Sequence, residues 1–211
     1  MKIEYPDAFY HIISHGNGVS SAFQRDADFE RLIGFLESAA GRHRIRIHCF
    51  CLMPNHCHMI LETIRGSLSS ILLYLNMGDA EYLTKKPERK GDFFQSQCRV
   101  ILIHDDSHLL ELSRYIHVNP VRAHLVNDPS QYPWSSYLAY LGVEKRWDWV
   151  HTHFILSQLG SDEKEARRRY RNYIWGAIRE IVGHPLEKAA TLGISERVGQ
   201  VMGSNGRGQR M

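Results

Sequence analysis

The sequence predicts an α+β fold, an antiparallel sheet with helices packed on one face, followed by a helical C-terminal extension. Three observations carry that expectation. Segments of alternating polarity are interleaved with segments of helical period in the order strand, helix, strand, strand, helix, strand, helix. This is the split β-α-β order, whose sheet leaves its second face for a ligand. Two of the strands lie together in the run Arg44 to Glu62, broken only by Met53, Pro54 and Asn55. Beyond residue 142 only helical periods remain. The expected division is 1–142 for the sheet domain, 143–202 for the helical extension and 203–211 for a Gly-rich polar tail without fixed structure.

Tyr10 to His15 is a short strand, and Gly16-Asn17-Gly18 after it is turn chemistry. An open turn of that kind beside a basic groove can admit a nucleotide. From Asp28 to Ala40, Phe29, Leu32, Ile33 and Leu36 fall at i, i+3, i+4 and i+7, with Asp26 or Asp28 as cap and Gly41 as stop. Arg44 to Leu52 and His56 to Leu61 are the two central strands. Leu68, Ile71, Leu72 and Leu75 repeat the helical spacing behind Ser67, in a helix that can run to Thr84. The loop Lys85 to Asp92 carries Pro87 and Gly91 and leads into a strand from Phe93 to Ile103. A third helix, Asp106 to Asn119, is capped by Asp105 or Asp106 and buries Leu109, Leu112 and Ile116. Pro120 disfavours helical geometry in the residue before it, which predicts an end or kink near Asn119. Tyr132-Pro133-Trp134-Ser135-Ser136-Tyr137 leads into a short helix to Leu141, and Trp147 to Leu159 and Ser161 to Ile181 read as further helices.

A chain of 211 residues accommodates one domain, or one domain with an extension, around a sizeable core. Its formal charge of +3 is too mild to demand a polyanionic partner, so distribution matters more than the total. Arg42, Arg44 and Arg46 cluster before the strand that opens at His56, Lys85, Lys86, Arg89 and Lys90 crowd one loop, and Arg167, Arg168, Arg169 and Arg171 crowd one helix. Such runs are often only solvated faces. No window approaches the roughly 18 unbroken apolar residues that span a bilayer, and no charged segment followed by an apolar run opens the chain. A cytoplasmic, nucleoid-associated protein is the expectation. Cys49, Cys51, Cys57 and Cys98 are too few and too crowded for a disulfide framework, so reduced thiols are expected.

Chemistry enters with His56-Cys57-His58. Strand alternation points both imidazoles the same way and the intervening thiol the other way, and a strand is a rigid mount for metal ligands. Downstream, Tyr115 and Asn119 lie one helical turn apart on one face of the third helix. A divalent ion held by His56, His58 and Asn119, with Tyr115 alongside, would draw charge from a phosphate and orient it for in-line attack by the phenolate. A tyrosine, ordinarily near pKa 10, needs a cation or base to become a nucleophile at neutral pH. Its attack would leave a phosphotyrosine ester and a free hydroxyl, and exchange of one phosphate ester for another lets the strand be rejoined without ATP.

Three separated segments carry a family resemblance: Met53-Pro54-Asn55-His56-Cys57-His58, Leu112-Ser113-Arg114-Tyr115-Ile116-His117-Val118-Asn119-Pro120-Val121-Arg122-Ala123 and Trp134-Ser135-Ser136-Tyr137. In this order they resemble the REP-associated tyrosine transposases, a branch of the single-tyrosine His-hydrophobic-His (HUH) endonucleases. The resemblance spans Tyr10 to Leu141, with a weaker likeness from Leu159 to Ile178. It implies a ferredoxin-like catalytic domain that binds single-stranded DNA beside a repetitive extragenic palindrome (REP) hairpin and cleaves it through a 5′-phosphotyrosine at Tyr115. Mg2+ or Mn2+ would sit on His56 and His58, with Asn119, one turn after the tyrosine, as third ligand. The branch works as a monomer, in contrast to dimeric relatives. His15, Asn17, Arg42, Arg44, Arg114, Arg122, Arg167 and Arg168 are the candidate DNA contacts.

The chain departs from the family pattern at three places. Ser14-His15-Gly16-Asn17 stands where Ser-Arg-Gly-Asn is common, Gln97-Cys98 where Arg-Tyr is frequent, and His124 where glycine is usual. All three lie outside the catalytic set. Two rival readings compete with the transposase. One is a structural zinc site of Cys49, Cys51, His56 and His58, since two thiolates and two imidazoles form a tetrahedral set. The other is a nucleic-acid-binding module without chemistry that stacks bases on Phe50, Phe93 and Phe94.

Overall fold

Alternating polarity in the sequence becomes four strands: β1 (Ala8–His15), β2 (Ile45–Leu52), β3 (His56–Thr63) and β4 (Cys98–Ile103). The structure is a computed structural model that describes residues 5–15, 23, 25–65, 68–75, 98–143 and 145–183. The strands form one antiparallel sheet in the order β2-β3-β1-β4, the arrangement the split β-α-β pattern predicts. β1 and β3 pair along their whole length, from Ala8 opposite Thr63 to His15 opposite His56. The register of β2 on β3 shifts between Ile47 and Cys49, which leaves His48 as the extra residue of a bulge. The bulge turns the His48 ring to the Glu62 carboxylate at 2.8 Å and to the His151 carbonyl at 2.9 Å.

Helix α1 (Asp26–Arg42) buries the expected stripe of Phe29, Leu32, Ile33 and Leu36. Asp28 Oδ2 accepts the Arg25 N–H at 3.1 Å, the expected acidic role at the helix start, although the residue before the helix is Arg25 itself. Gly41 does not stop α1. The helix runs one residue past it, and the His43 N–H closes the last turn on the Ala39 carbonyl at 2.9 Å; glycine is tolerated inside a helix whose buried face supplies the stability. Helix α2, over 68–75, buries Leu68, Ile71 and Leu75 and is tied to α1 by the Tyr74 hydroxyl donating to Ser38 Oγ at 2.9 Å. The expected course of α2 to Thr84, the Lys85 to Asp92 loop, Phe93 to Gln97 and the tail lie outside the described residues.

Helix α3 (Ser107–Arg122) carries Pro120 within its last turn and does not end at Asn119. Proline removes one N–H, yet the end of this helix is rebuilt as a Schellman closure. The His124 N–H reaches the Val121 carbonyl at 3.0 Å, and the Leu125 N–H reaches the Pro120 carbonyl at 2.9 Å. His124 takes the left-handed position, with φ of 56°. Burial of Val118, Pro120 and Val121 outweighs the local preference against the helix.

The remainder is α4 (Tyr137–Leu141), α5 (His153–Ser157) and α6 (Glu163–Gly183). Trp147 to Leu159 is not one helix. Val150 instead bridges Ile47 in parallel and the His151 N–H donates to the Ile47 carbonyl at 2.9 Å. Further along β2, Leu52 N–H donates to the Trp134 carbonyl at 2.9 Å and the Ser136 N–H to the Phe50 carbonyl at 3.0 Å. An edge strand left bare would recruit another chain, and these segments cover it. One apolar core runs from Tyr10, Ile12 and Met59 in the sheet through Ile116 to Tyr140, Tyr170 and Ile174. No helix of the described residues is long and apolar enough to cross a membrane.

Candidate active site

β3 begins with His56 and alternates, so His56 and His58 share a face while Cys57 is buried on the other. Their ring centroids are 5.0 Å apart with planes at 87°. His56 Nδ1 lies 2.7 Å from Asn55 Oδ1 at the more open end, whereas His58 is buried. Helix α3 crosses this same face, which is therefore only partly open to a ligand. Tyr115 meets His58 edge-on, at 5.4 Å between centroids and 84° between planes. The tyrosine and the histidine pair, 57 positions apart at their nearer members, thus meet.

Continuation of α3 through Pro120 keeps Asn119 one turn from Tyr115 on the same helix face. Asn119 is buried and its Nδ2 has no hydrogen-bond partner. A buried amide left unsatisfied costs about 1–3 kcal/mol, so it calls for a partner. A half-turn of the amide exchanges nitrogen for oxygen at that point. Arg122, a turn further on, places its guanidinium carbon 5.3 Å from the Tyr115 ring centre.

Two histidines that the sequence reading did not single out belong to the surroundings. His11 of β1 places Nε2 at 3.1 Å from His58 Nδ1, and burial pulls its pKa down to about 4. His117, fully buried two residues beyond Tyr115, is bonded through Nδ1 to the Tyr170 hydroxyl at 2.7 Å and through Nε2 to Ser136 Oγ at 2.9 Å. Desolvation lowers its pKa to about 3. Tyr170 donates in turn to Ser113 Oγ at 3.0 Å. This buried network ties α3 to α6 and to the segment lining β2. Strand alternation places His11 on a face, but only the pairing register sets it beside His58.

The family described as Transposase IS200 like matches residues 5–119, a span that contains the sheet, both histidines, Tyr115 and Asn119. The chain belongs to this transposase family. The structure of this transposase is similar to that of a REP-associated tyrosine transposase solved bound to a REP hairpin, at 15% identity and a TM-score of 0.57, covering 67% of this chain and 84% of that one. At that identity the likeness shows the fold. A putative transposase from Deinococcus radiodurans (17% identity, 53% and 91% covered, TM-score 0.40) and the tRNA(His) guanylyltransferase from Saccharomyces cerevisiae (11%, 85% and 80%, 0.42) are more distant in shape. No curated protein matches the transposase in sequence.

The arginines expected to touch DNA fall at different distances from the histidines. Arg122 lies in the site. Arg42 and Arg44 are exposed at the end of the sheet where Ile45 faces Thr63, seven residues along β3 from His56 and so about 23 Å away at ~3.3 Å per residue. Arg114 packs over the Tyr173 ring at 4.2 Å and joins α3 to α6. Arg167 pairs with Glu163 and donates to the Ala139 carbonyl, closing the end of α4. Gly142, at φ of 70°, lies against the Arg167 guanidinium, which a Cβ there would meet at 3.2 Å. Arg167 is therefore engaged in holding α4 on α6. Arg168 is exposed and pairs with Glu165, whose carboxyl is held down to about 2 by Arg168 and Arg169. His15 ends β1 opposite His56, its side chain outside the described part, and Asn17 lies outside the described residues.

Among the described residues, the four side chains of the zinc reading are not gathered into one set and Phe50 is no base platform. Register does place Cys51 across from His58. The Cys51 thiol nevertheless turns to Met53 Sδ at 3.7 Å, and Cys49 Sγ to His117 Nε2 at 3.3 Å. Among the described residues no group of three or more His, Cys, Asp or Glu is placed to hold a metal. Phe50 is fully buried and stacked on Trp149 at 5.6 Å and 2°, so it is core rather than a base platform. Phe93 and Phe94 lie outside the described residues.

Proposed function

We propose that this transposase is a metal-dependent single-stranded DNA endonuclease that cleaves and rejoins DNA beside REP-type hairpins through a 5′-phosphotyrosine. The observation that carries the reading is the contact between the Tyr115 ring and His58, within a span matched by the family. The hairpin partner is suggested by the motifs Met53 to His58 and Leu112 to Ala123, and by the likeness of fold to a transposase solved with a REP hairpin. Residues 1–142 would carry cleavage and, within the extension 143–202, helix α6 would brace α3, in a monomer that works in the cytoplasm on the nucleoid.

The residues present suit a divalent cation. His56 and His58 offer imidazole nitrogens, and the Asn119 amide, whose buried Nδ2 has no hydrogen-bond partner, offers an oxygen at that point after a half-turn. Such a mixed set is compatible with Mn2+ or Mg2+ completed by water and phosphate. When bound, the cation supplies Lewis-acid stabilisation of charge on a nonbridging phosphate oxygen. Tyr115 does the covalent work. Its oxygen forms the new bond to phosphorus as the phenol proton is lost, the bond from phosphorus to the 3′ oxygen breaks, and that oxygen gains a proton. The products are a 5′-phosphotyrosine and a 3′ hydroxyl, and attack by a 3′ hydroxyl on the same ester reverses the step. Arg122, beside the Tyr115 ring, meets the negative charge of the phosphate. His15, which ends β1 opposite His56, Asn17, and Arg168 on α6 would be further DNA contacts.

The test is incubation with labelled single-stranded hairpin oligonucleotides and Mn2+, followed by mapping of the covalent adduct. The reading expects DNA on the peptide that contains Tyr115, attached through its 5′ phosphate. An adduct on another residue, or cleavage without any adduct, sinks it.

A further inference from the structure

His11 is not used by the reaction above, yet it touches one of the residues that is. The two rings lie on neighbouring strands and on one face, offset by two positions, since Ile13 is the partner of His58 and Ile60 the partner of His11. Their centroids are 5.3 Å apart at 24°, both residues are about 95% buried, and His11 Nε2 is 3.1 Å from His58 Nδ1. Two imidazole nitrogens at that separation share one proton, so one donates and the other accepts.

The direction of that bond decides what His58 can do. If His11 donates, neutral His58 carries its own proton on Nε2 and has no lone pair there for a cation. If His58 donates from Nδ1, its lone pair resides on Nε2. A metal-bound histidine generally gives its other N–H to a buried acceptor, which fixes tautomer and ring orientation together. We propose that His11 is a positioning residue that accepts the Nδ1–H of His58 and so fixes the tautomer whose Nε2 lone pair serves a divalent cation. This rests on the metal reading of the site above. His11 Nε2 is then engaged with His58 and is not itself a ligand. An imidazole acceptor, unlike a carboxylate, adds no negative charge to the site.

Two variants separate the roles. His11→Leu keeps apolar volume and removes the acceptor, whereas His11→Gln retains an acceptor in its side-chain oxygen. Thermal unfolding establishes that both fold. On 15N-labelled protein without DNA or metal, two-bond 15N–1H correlations report the tautomer of His58, and Mn2+ affinity is read by electron paramagnetic resonance. The expected result is an Nδ1–H tautomer in the parent, about 10- to 100-fold weaker Mn2+ binding in His11→Leu and recovery of most of it in His11→Gln. An Nε2–H tautomer in the parent, or a folded His11→Leu that binds Mn2+ like the parent, overturns the proposal while the metal site stands. A parent protein that binds no Mn2+ overturns the metal reading itself and the role of His11 with it.

Discussion

The ring of Tyr115 stands edge-on against that of His58, with centroids 5.4 Å apart and planes at 84°. Removing the phenolic oxygen while keeping the ring preserves this packing and deletes only the nucleophile. Tyr115→Phe is therefore expected to lower covalent adduct formation by ~1,000-fold or more and to leave hairpin affinity within about twofold. Gel resolution of the adduct and filter binding on the same preparation check it. Cleavage by the variant at the parent rate would show that another group attacks.

His124 occupies the left-handed position that closes α3, at φ of 56°. A side chain there costs roughly 1–2 kcal/mol, part of which glycine gives back as entropy in the unfolded chain. His124→Gly is expected to raise stability by about 0.5–1 kcal/mol. Urea unfolding decides the sign, and a loss of stability would mean that the His124 ring makes a contact worth more than the strain.

Arg167 and Arg168 are neighbours in sequence with different tasks. Arg167 holds the Ala139 carbonyl and Glu163, while Arg168 is exposed beside Glu165. Arg167→Gln is expected to cost about 1–2 kcal/mol of stability and to leave the salt dependence of hairpin binding unchanged. Arg168→Gln should do the reverse, flattening the slope of log affinity against log salt by about 0.9 if it contacts one phosphate. Equal slopes for parent and Arg168→Gln would return that side chain to the solvent.

The buried His117 makes stability depend on pH. Its pKa in the fold is about 3, lowered by desolvation, against an unfolded value near 6.5. Between those values the unfolded chain binds the extra proton and the folded one does not, so stability falls as pH drops below about 6.5 and keeps falling toward 3. From pH 7 to pH 5 the contribution is roughly 2 kcal/mol. Urea midpoints at the two pH values check it, with His117→Gln expected to shrink the difference.

The order of elements was legible because strands and helices differ in apolar period, and the antiparallel sheet followed from that order. That His56 and His58 share a strand face, and Tyr115 and Asn119 a helix face, was legible because strand alternation and helical spacing fix which side chains point together. The end of α3 was misjudged, since a preference of one residue against helical geometry is smaller than the burial of Val118, Pro120 and Val121 around it. The stretch from Trp147 was misjudged for a related reason. Its apolar residues satisfy a helical period, but Val150 finds backbone partners on the open edge of β2.

By itself the sequence determined which local elements form and which side chains each presents, because those follow from φ, ψ and spacing along the chain. Tertiary structure alone decided that His11 meets His58, that His117 joins Tyr170, and that Arg167 closes α4 while Arg168 remains exposed. Such pairings depend on strand register and helix docking, and both are settled by burial summed over the whole core rather than by any window of residues.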